Sequence, residues 1–142
     1  MTTTAVAQTA APVAHLPDRR LRLALKLDAV VTGLNGVAYL MAAALLDDFV
    51  GLPAGVLRAI GVFLTGYAVA VWLVGTRPVV SARAAGIVIV VNLLWAVDSL
   101  AAAAFSWGTP TSTGTGWMVL QAVVVGAFGV LQWLGLRHRR LA

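Results

Sequence analysis

The sequence contains no cysteine and no glutamate, and only 11% of its 142 residues are charged. Without cysteine there are no disulfides, no thiolate metal sites and no thiol relay of the kind some small four-helix membrane proteins couple to quinones. Its two histidines, His15 and His138, stand near opposite ends of the chain. An intramembrane haem or zinc site, or a nucleophilic triad, would therefore lack its imidazole. Such scarcity of charge also leaves no soluble basic face, so the net charge of +5 and pI of 11.2 do not describe a nucleic-acid binder.

What the chain has instead is apolar bulk: 61% hydrophobic residues and a mean hydropathy of +0.93, values that suit lipid as the solvent. A hydrocarbon core of about 30 Å takes about 20 apolar residues per helix. Four such stretches occur, at about 25–46, 56–75, 84–105 and 117–136, and with short loops they use nearly all of the length, leaving no room for a soluble catalytic domain. Strands are rejected for the Val-rich runs, because an open sheet in lipid leaves backbone groups unpaired. The expected fold is an all-α four-transmembrane-helix bundle over residues 19–140, preceded by a disordered tail, residues 1–18, of Thr, Ala and Pro without apolar periodicity. The tail is not read as a signal peptide, since its basic cluster follows the weakly apolar stretch. Residues 106–116, rich in Gly, Thr, Ser and Pro, read as a loop flanked by Trp107 and Trp117 in an aromatic belt.

The basic residues set the orientation. Arg19, Arg20, Arg22 and Lys26 precede the first span, Arg77 and Arg83 flank the second loop, and Arg137, Arg139 and Arg140 follow the last span. Nine of the ten basic residues therefore assign both termini to the cytoplasmic side. The tenth, Arg58, lies just inside the second span near Asp47 and Asp48, a cluster expected at the outer interface.

Sliding the chain by 57 residues superimposes Lys26 on Arg83, Asn35 on Asn92 and Pro53 on Pro110; a shift of 60 pairs Gly66 with Gly126, Gly75 with Gly135 and Arg77 with Arg137. Two tandem parallel hairpins would give this pattern, and so would coincidence in an alphabet dominated by Ala, Val, Leu and Gly.

Candidate binding residues are the polar groups within the spans, because polar side chains in hydrocarbon turn toward the bundle interior. Asp28, Thr32, Asn35 and Tyr39 form one stripe on the first helix. Asn92, Trp95 and Ser99 share a face of the third, and Gln121 and Gln132 share one on the fourth. Asn35 and Asn92 are expected level with each other, as hydrogen-bonded glue between helices or as part of a polar site. Asp98, about 13 Å from the outer end of its span, must be paired, protonated or wetted, with Gln121, Tyr67 or Arg58 as candidate partners. The candidate interior is thus Asp98, Asn92, Asn35, Gln121, Ser99 and Tyr67. Asp28 is expected at the inner interface, stabilised by solvent and its basic neighbours.

The pattern Leu27-Asp28, Gly33, Gly36, Leu52-Pro53, Gly61, then Asn92, Trp95, Ser99, then Pro110-Thr111, Gly114 and Gln121 resembles small uncharacterised four-helix inner-membrane proteins of high-GC bacteria. A ninefold preference for Arg over Lys agrees. The resemblance implies that location and fold, and no activity. In outline the chain is also similar to DoxX-like proteins, without a diagnostic motif, and to small multidrug transporters, whose buried glutamate it lacks.

These readings lead to a non-enzymatic membrane subunit or partner protein. The alternative is a small proton-coupled carrier using Asp98 with Asn35 and Asn92. No cofactor or metal is expected. The bilayer is the expected partner, with a second copy or another membrane protein as candidates and nucleic acid excluded.

Overall fold

The computed structural model describes residues 17–108 and 110–141. It consists of four helices, α1 (Pro17–Val50), α2 (Ala54–Thr76), α3 (Ala82–Ala104) and α4 (Ser112–Leu141), with no strand among the described residues. All four are long and apolar enough to cross a bilayer. Their outward faces carry bare Leu34, Met41, Leu94 and Val123, a surface that hydrocarbon solvates and water does not. The chain is an all-α, multi-pass membrane protein.

The helices overrun the apolar stretches. Proline is favoured in a first helical turn, and α1 starts at Pro17, so Arg19, Arg20 and Arg22 ride on the helix rather than on a tail. Of the expected disordered segment, residues 1–16 lie outside the described residues, and Pro17 and Asp18 belong to α1. The expected loop at 106–116 is likewise shortened, because α4 begins at Ser112. Thr111 is its cap: the hydroxyl oxygen accepts from the Gly114 amide at 3.0 Å and so satisfies a donor left over by the first turn. The same hydroxyl donates to the Phe49 carbonyl, and the Thr111 amide donates to that of Val50 at 3.2 Å. These bonds tie the start of α4 to the end of α1.

Glycines set how closely the helices approach. α1 crosses α2 at Gly36 and Gly61, where a Cβ on Gly61 would sit 2.8 Å from the Gly36 carbonyl oxygen. α4 meets α1 near both ends, Gly135 against Leu21 and Gly114 against Val50, and meets α3 where Gly129 faces Leu93. α2 and α3 make the loosest seam. Across it stack the rings of Phe63 and Trp95, with centroids 5.6 Å apart.

The termini and the α2–α3 loop share one end of the bundle, the basic end; the loops after Asp48 and Phe105 share the other, the acidic end. At the basic end Arg22 donates to the carbonyls of Gly75, Arg77 and Pro78, and Arg139 to that of Val80. A guanidinium is well suited to the exposed carbonyls that close a helix, so these arginines also fasten the loop. Lys26 lies 5.8 Å from the centre of the Trp72 ring. At the acidic end no ion pair joins Arg58 to Asp47 or Asp48 among the described residues, contrary to the expected cluster; Asp47 instead accepts from the Asp48 amide.

Candidate functional site

Two sets of polar side chains lie within the bundle, and they differ in whether their hydrogen bonds are complete. The first is centred on Asp28, fully buried eleven residues into α1. One carboxylate oxygen accepts from the Thr32 hydroxyl at 3.0 Å, and the other from the amides of Asn92 and Gln132, both at 2.7 Å. Asn92 also donates to the Gln132 carbonyl oxygen at 3.1 Å, and its own oxygen accepts from the Tyr67 hydroxyl at 2.9 Å. Residues from all four helices thus form a closed network in which each amide oxygen is bonded and the carboxylate has three donors. These three bonds are what permit a carboxyl group at this depth, since a buried polar group is tolerated when it is hydrogen-bonded.

Above this floor, toward the acidic end, is a cavity of about 680 Å³, within the size range of small-molecule sites. Its lining on α1 runs from Val31 to Val50, about 29 Å at 1.5 Å per residue, which makes it an elongated slot. The walls are almost wholly apolar, including Leu64, Val91, Trp95 and Val125, and they contain no Lys, Arg, Asp or Glu. Leu34 and Leu120, both lipid-exposed, lie on its rim, so it opens sideways between α1 and α4.

The second polar set is on this cavity wall. The Tyr39 hydroxyl oxygen accepts from the Trp117 indole at 2.7 Å and from the Gln121 amide at 2.6 Å. Asn35, one turn below Tyr39, lines the cavity half-buried, and its amide bonds to none of the described residues. This set is open, with donor and acceptor positions left over.

Of the six residues singled out from sequence, Asn92 and Tyr67 join the network, while Asn35 and Gln121 join the cavity wall, which Tyr67 and Asn92 also reach. Ser99 is half-buried and lines neither. Asp98 is a correction. It is exposed on the outward face of α3, in a shallow depression with Phe63, Leu94, Trp95 and Ala101. None of Gln121, Tyr67 or Arg58 bonds to it. The cause is helical phase: Asn92 and Ala96 define the inward direction, and at 100° per residue Asp98 falls well outside it. Asp28 is the converse correction, sealed from solvent rather than wetted at an interface. Asn35 and Asn92 are not level either; Asn92 bonds Asp28, seven residues and about 10 Å below Asn35 along α1.

The six residues leave out Gln132, Thr32 and Tyr39, which the sequence places on inward stripes, and Trp117, which it does not. The signal was available in the i, i+4 stripe from Asp28 to Tyr39 and in the shared face of Gln121 and Gln132. Trp117, expected in an aromatic belt, stays exposed while its indole N–H reaches Tyr39. No group of three or more His, Asp or Glu side chains able to hold a metal ion occurs among the described residues. The chain matches no protein-family profile, no curated protein and no solved structure.

Proposed function

We propose that this is a non-enzymatic protein of the bacterial cytoplasmic membrane, with both termini on the cytoplasmic side, that holds one hydrophobic molecule taken up sideways from the bilayer. The observation that carries the reading is the slot of about 680 Å³ between four membrane helices, apolar along its walls and closed by a rigid polar floor. A void of that size lined by Leu, Val and Trp forfeits dispersion contacts. An occupant of matching shape restores them.

The test uses hexadecane in lipid nanodiscs and a variant in which Val125→Trp partly fills the slot and obstructs a long chain within it. Hexadecane should raise the thermal stability of the native protein, since a molecule bound only by the folded state stabilises it, and should leave the obstructed variant unchanged. Equal responses would sink the proposal. Orientation has its own test, made direct by the absence of native cysteine. A cysteine at Gly55 should react with an impermeant maleimide on intact cells, and one at Ser81 only after permeabilisation; the reverse pattern would invert the topology.

A second reading, a subunit that docks against another membrane protein, is supported by Asp98, a carboxylate on a face that otherwise meets hydrocarbon. That reading does not exclude the first.

A further inference from the structure

The contrast between the closed and the open polar sets identifies what the occupant's head must be. The donors of the Asp28 network that border the slot, on Thr32, Tyr67 and Asn92, each have an acceptor within the fold, so that floor offers no hydrogen to a guest. The Tyr39 hydroxyl is different. Its oxygen is already engaged twice as an acceptor, by Trp117 and Gln121, and its own proton has no acceptor among the described residues although the side chain is only 5% exposed. Buried donors without partners are rarer in proteins than under-used carbonyl oxygens, and a phenol proton facing an apolar slot cannot reach bulk water. The Asn35 amide supplies a second donor on the same face of α1, one turn away, and it too is unengaged.

Residues four apart on one helix face are neighbours, so both donors open onto the same stretch of the slot. No charged side chain lines the slot to balance an ion, and an unbalanced charge there would be costly. Resting on the reading of the slot as a lipophile site, we infer that its occupant is a neutral lipid-like molecule with a carbonyl head, such as an ester, ketone or quinone, whose oxygen accepts from Tyr39 and Asn35 while its chain lies along the apolar wall.

The experiment compares four probes of similar chain length in nanodiscs: hexadecane, methyl palmitate, the palmitate anion and hexadecyltrimethylammonium. Apparent affinity is read from thermal stability against probe content. Each net hydrogen bond is worth roughly fivefold in affinity, so methyl palmitate, with two, should bind about twenty-five-fold more tightly than hexadecane. Asn35→Leu, which removes no bond within the fold, should cut that preference about fivefold, and Tyr39→Phe should do the same; Asn35→Leu keeps the test decisive if Tyr39→Phe, which also strands Trp117 and Gln121, fails to fold. Equal binding of methyl palmitate and hexadecane overturns the carbonyl assignment and leaves the slot a lipophile site. Preference for either charged probe overturns the neutral head. A methyl palmitate preference unchanged in the variants removes these two residues from the site. Binding of none of the four overturns the slot reading itself.

Discussion

Replacing Asn92 with leucine tests whether the four-helix network is the structural keystone its geometry describes. Leucine has the same number and branching of heavy atoms, so the perturbation falls chiefly on hydrogen bonding, with some crowding from its bulkier methyl groups. Three bonds disappear: the donation to Asp28 at 2.7 Å, the donation to Gln132 at 3.1 Å and the acceptance from Tyr67 at 2.9 Å. A bond to a carboxylate contributes about 1.5–3 kcal/mol, and neutral side-chain bonds between membrane helices average near 0.6 kcal/mol each. The expected loss is therefore about 3–4 kcal/mol, measured by equilibrium unfolding in mixed detergent micelles. Gln132→Leu should behave similarly, and the two losses should not add, because both residues serve the same carboxylate oxygen. The sharper consequence concerns the whole network. Removing Asp28, Asn92 and Gln132 together for leucine leaves no stranded charge, the Tyr67 hydroxyl keeps the Val88 carbonyl at 3.2 Å, and replacement of a buried ionic group and its partners by apolar side chains is often near neutral. The triple variant should accordingly be more stable than Asn92→Leu alone. An Asn92→Leu loss below about 1 kcal/mol, or a triple variant less stable than the single one, would refute the reasoning.

How much of this was legible beforehand differs between fold and site. Hydropathy and length located all four helices, since a span in lipid admits few alternatives, but the helix ends were misjudged because apolar content stops where the hydrocarbon does, whereas the helix continues until its backbone groups find other partners. Pro17 and Thr111 were the local signals for those ends. The same error displaced Asp28. Counted from Leu25 it stands near an interface; counted from Pro17 it lies about 16 Å into the helix. The inward stripe of α1 was readable as a periodicity, yet periodicity on one helix does not say which residue of another helix lies opposite. Asn92 meets Asp28 rather than Asn35 because of the relative height of α1 and α3, and that height is set through α4, by Gly135 on Leu21 and Gly114 on Val50 on one side and Gly129 on Leu93 on the other. The cavity was not legible at all: it is a consequence of α1 and α4 touching near their ends while valines and leucines face each other between.

The remaining predictions concern single positions whose surroundings are unambiguous. The Thr65 hydroxyl is buried with no hydrogen-bond partner, so Thr65→Val, which keeps the shape, should raise stability by about 1 kcal/mol; a loss in the same unfolding assay would mean that the hydroxyl is satisfied. A Cβ on Gly114 would fall 1.9 Å from the Val50 carbonyl oxygen, backbone that cannot step aside, and Gly114→Ala should cost about 3 kcal/mol, the upper part of the usual range for overpacking; a tolerated alanine would show that α1 and α4 are not locked there. Asp98 gives the prediction of least expected sign. A carboxylate at a helix centre in hydrocarbon costs about 2.5–3.5 kcal/mol, and Asp98, six residues from the end of α3 and without a partner among the described residues, should bear on the order of 1–2 kcal/mol of that cost. Asp98→Leu should therefore stabilise the isolated protein, although an acid in a membrane helix would ordinarily be taken for the residue most sensitive to change. If the variant is instead destabilised in nanodiscs, the carboxylate is paired within the bundle and α3 is rotated from the orientation described. If it is stabilised but no longer retained by a membrane partner that holds the native protein, the exposed carboxylate belongs to a docking face, and its cost in the isolated chain is the driving force for that contact.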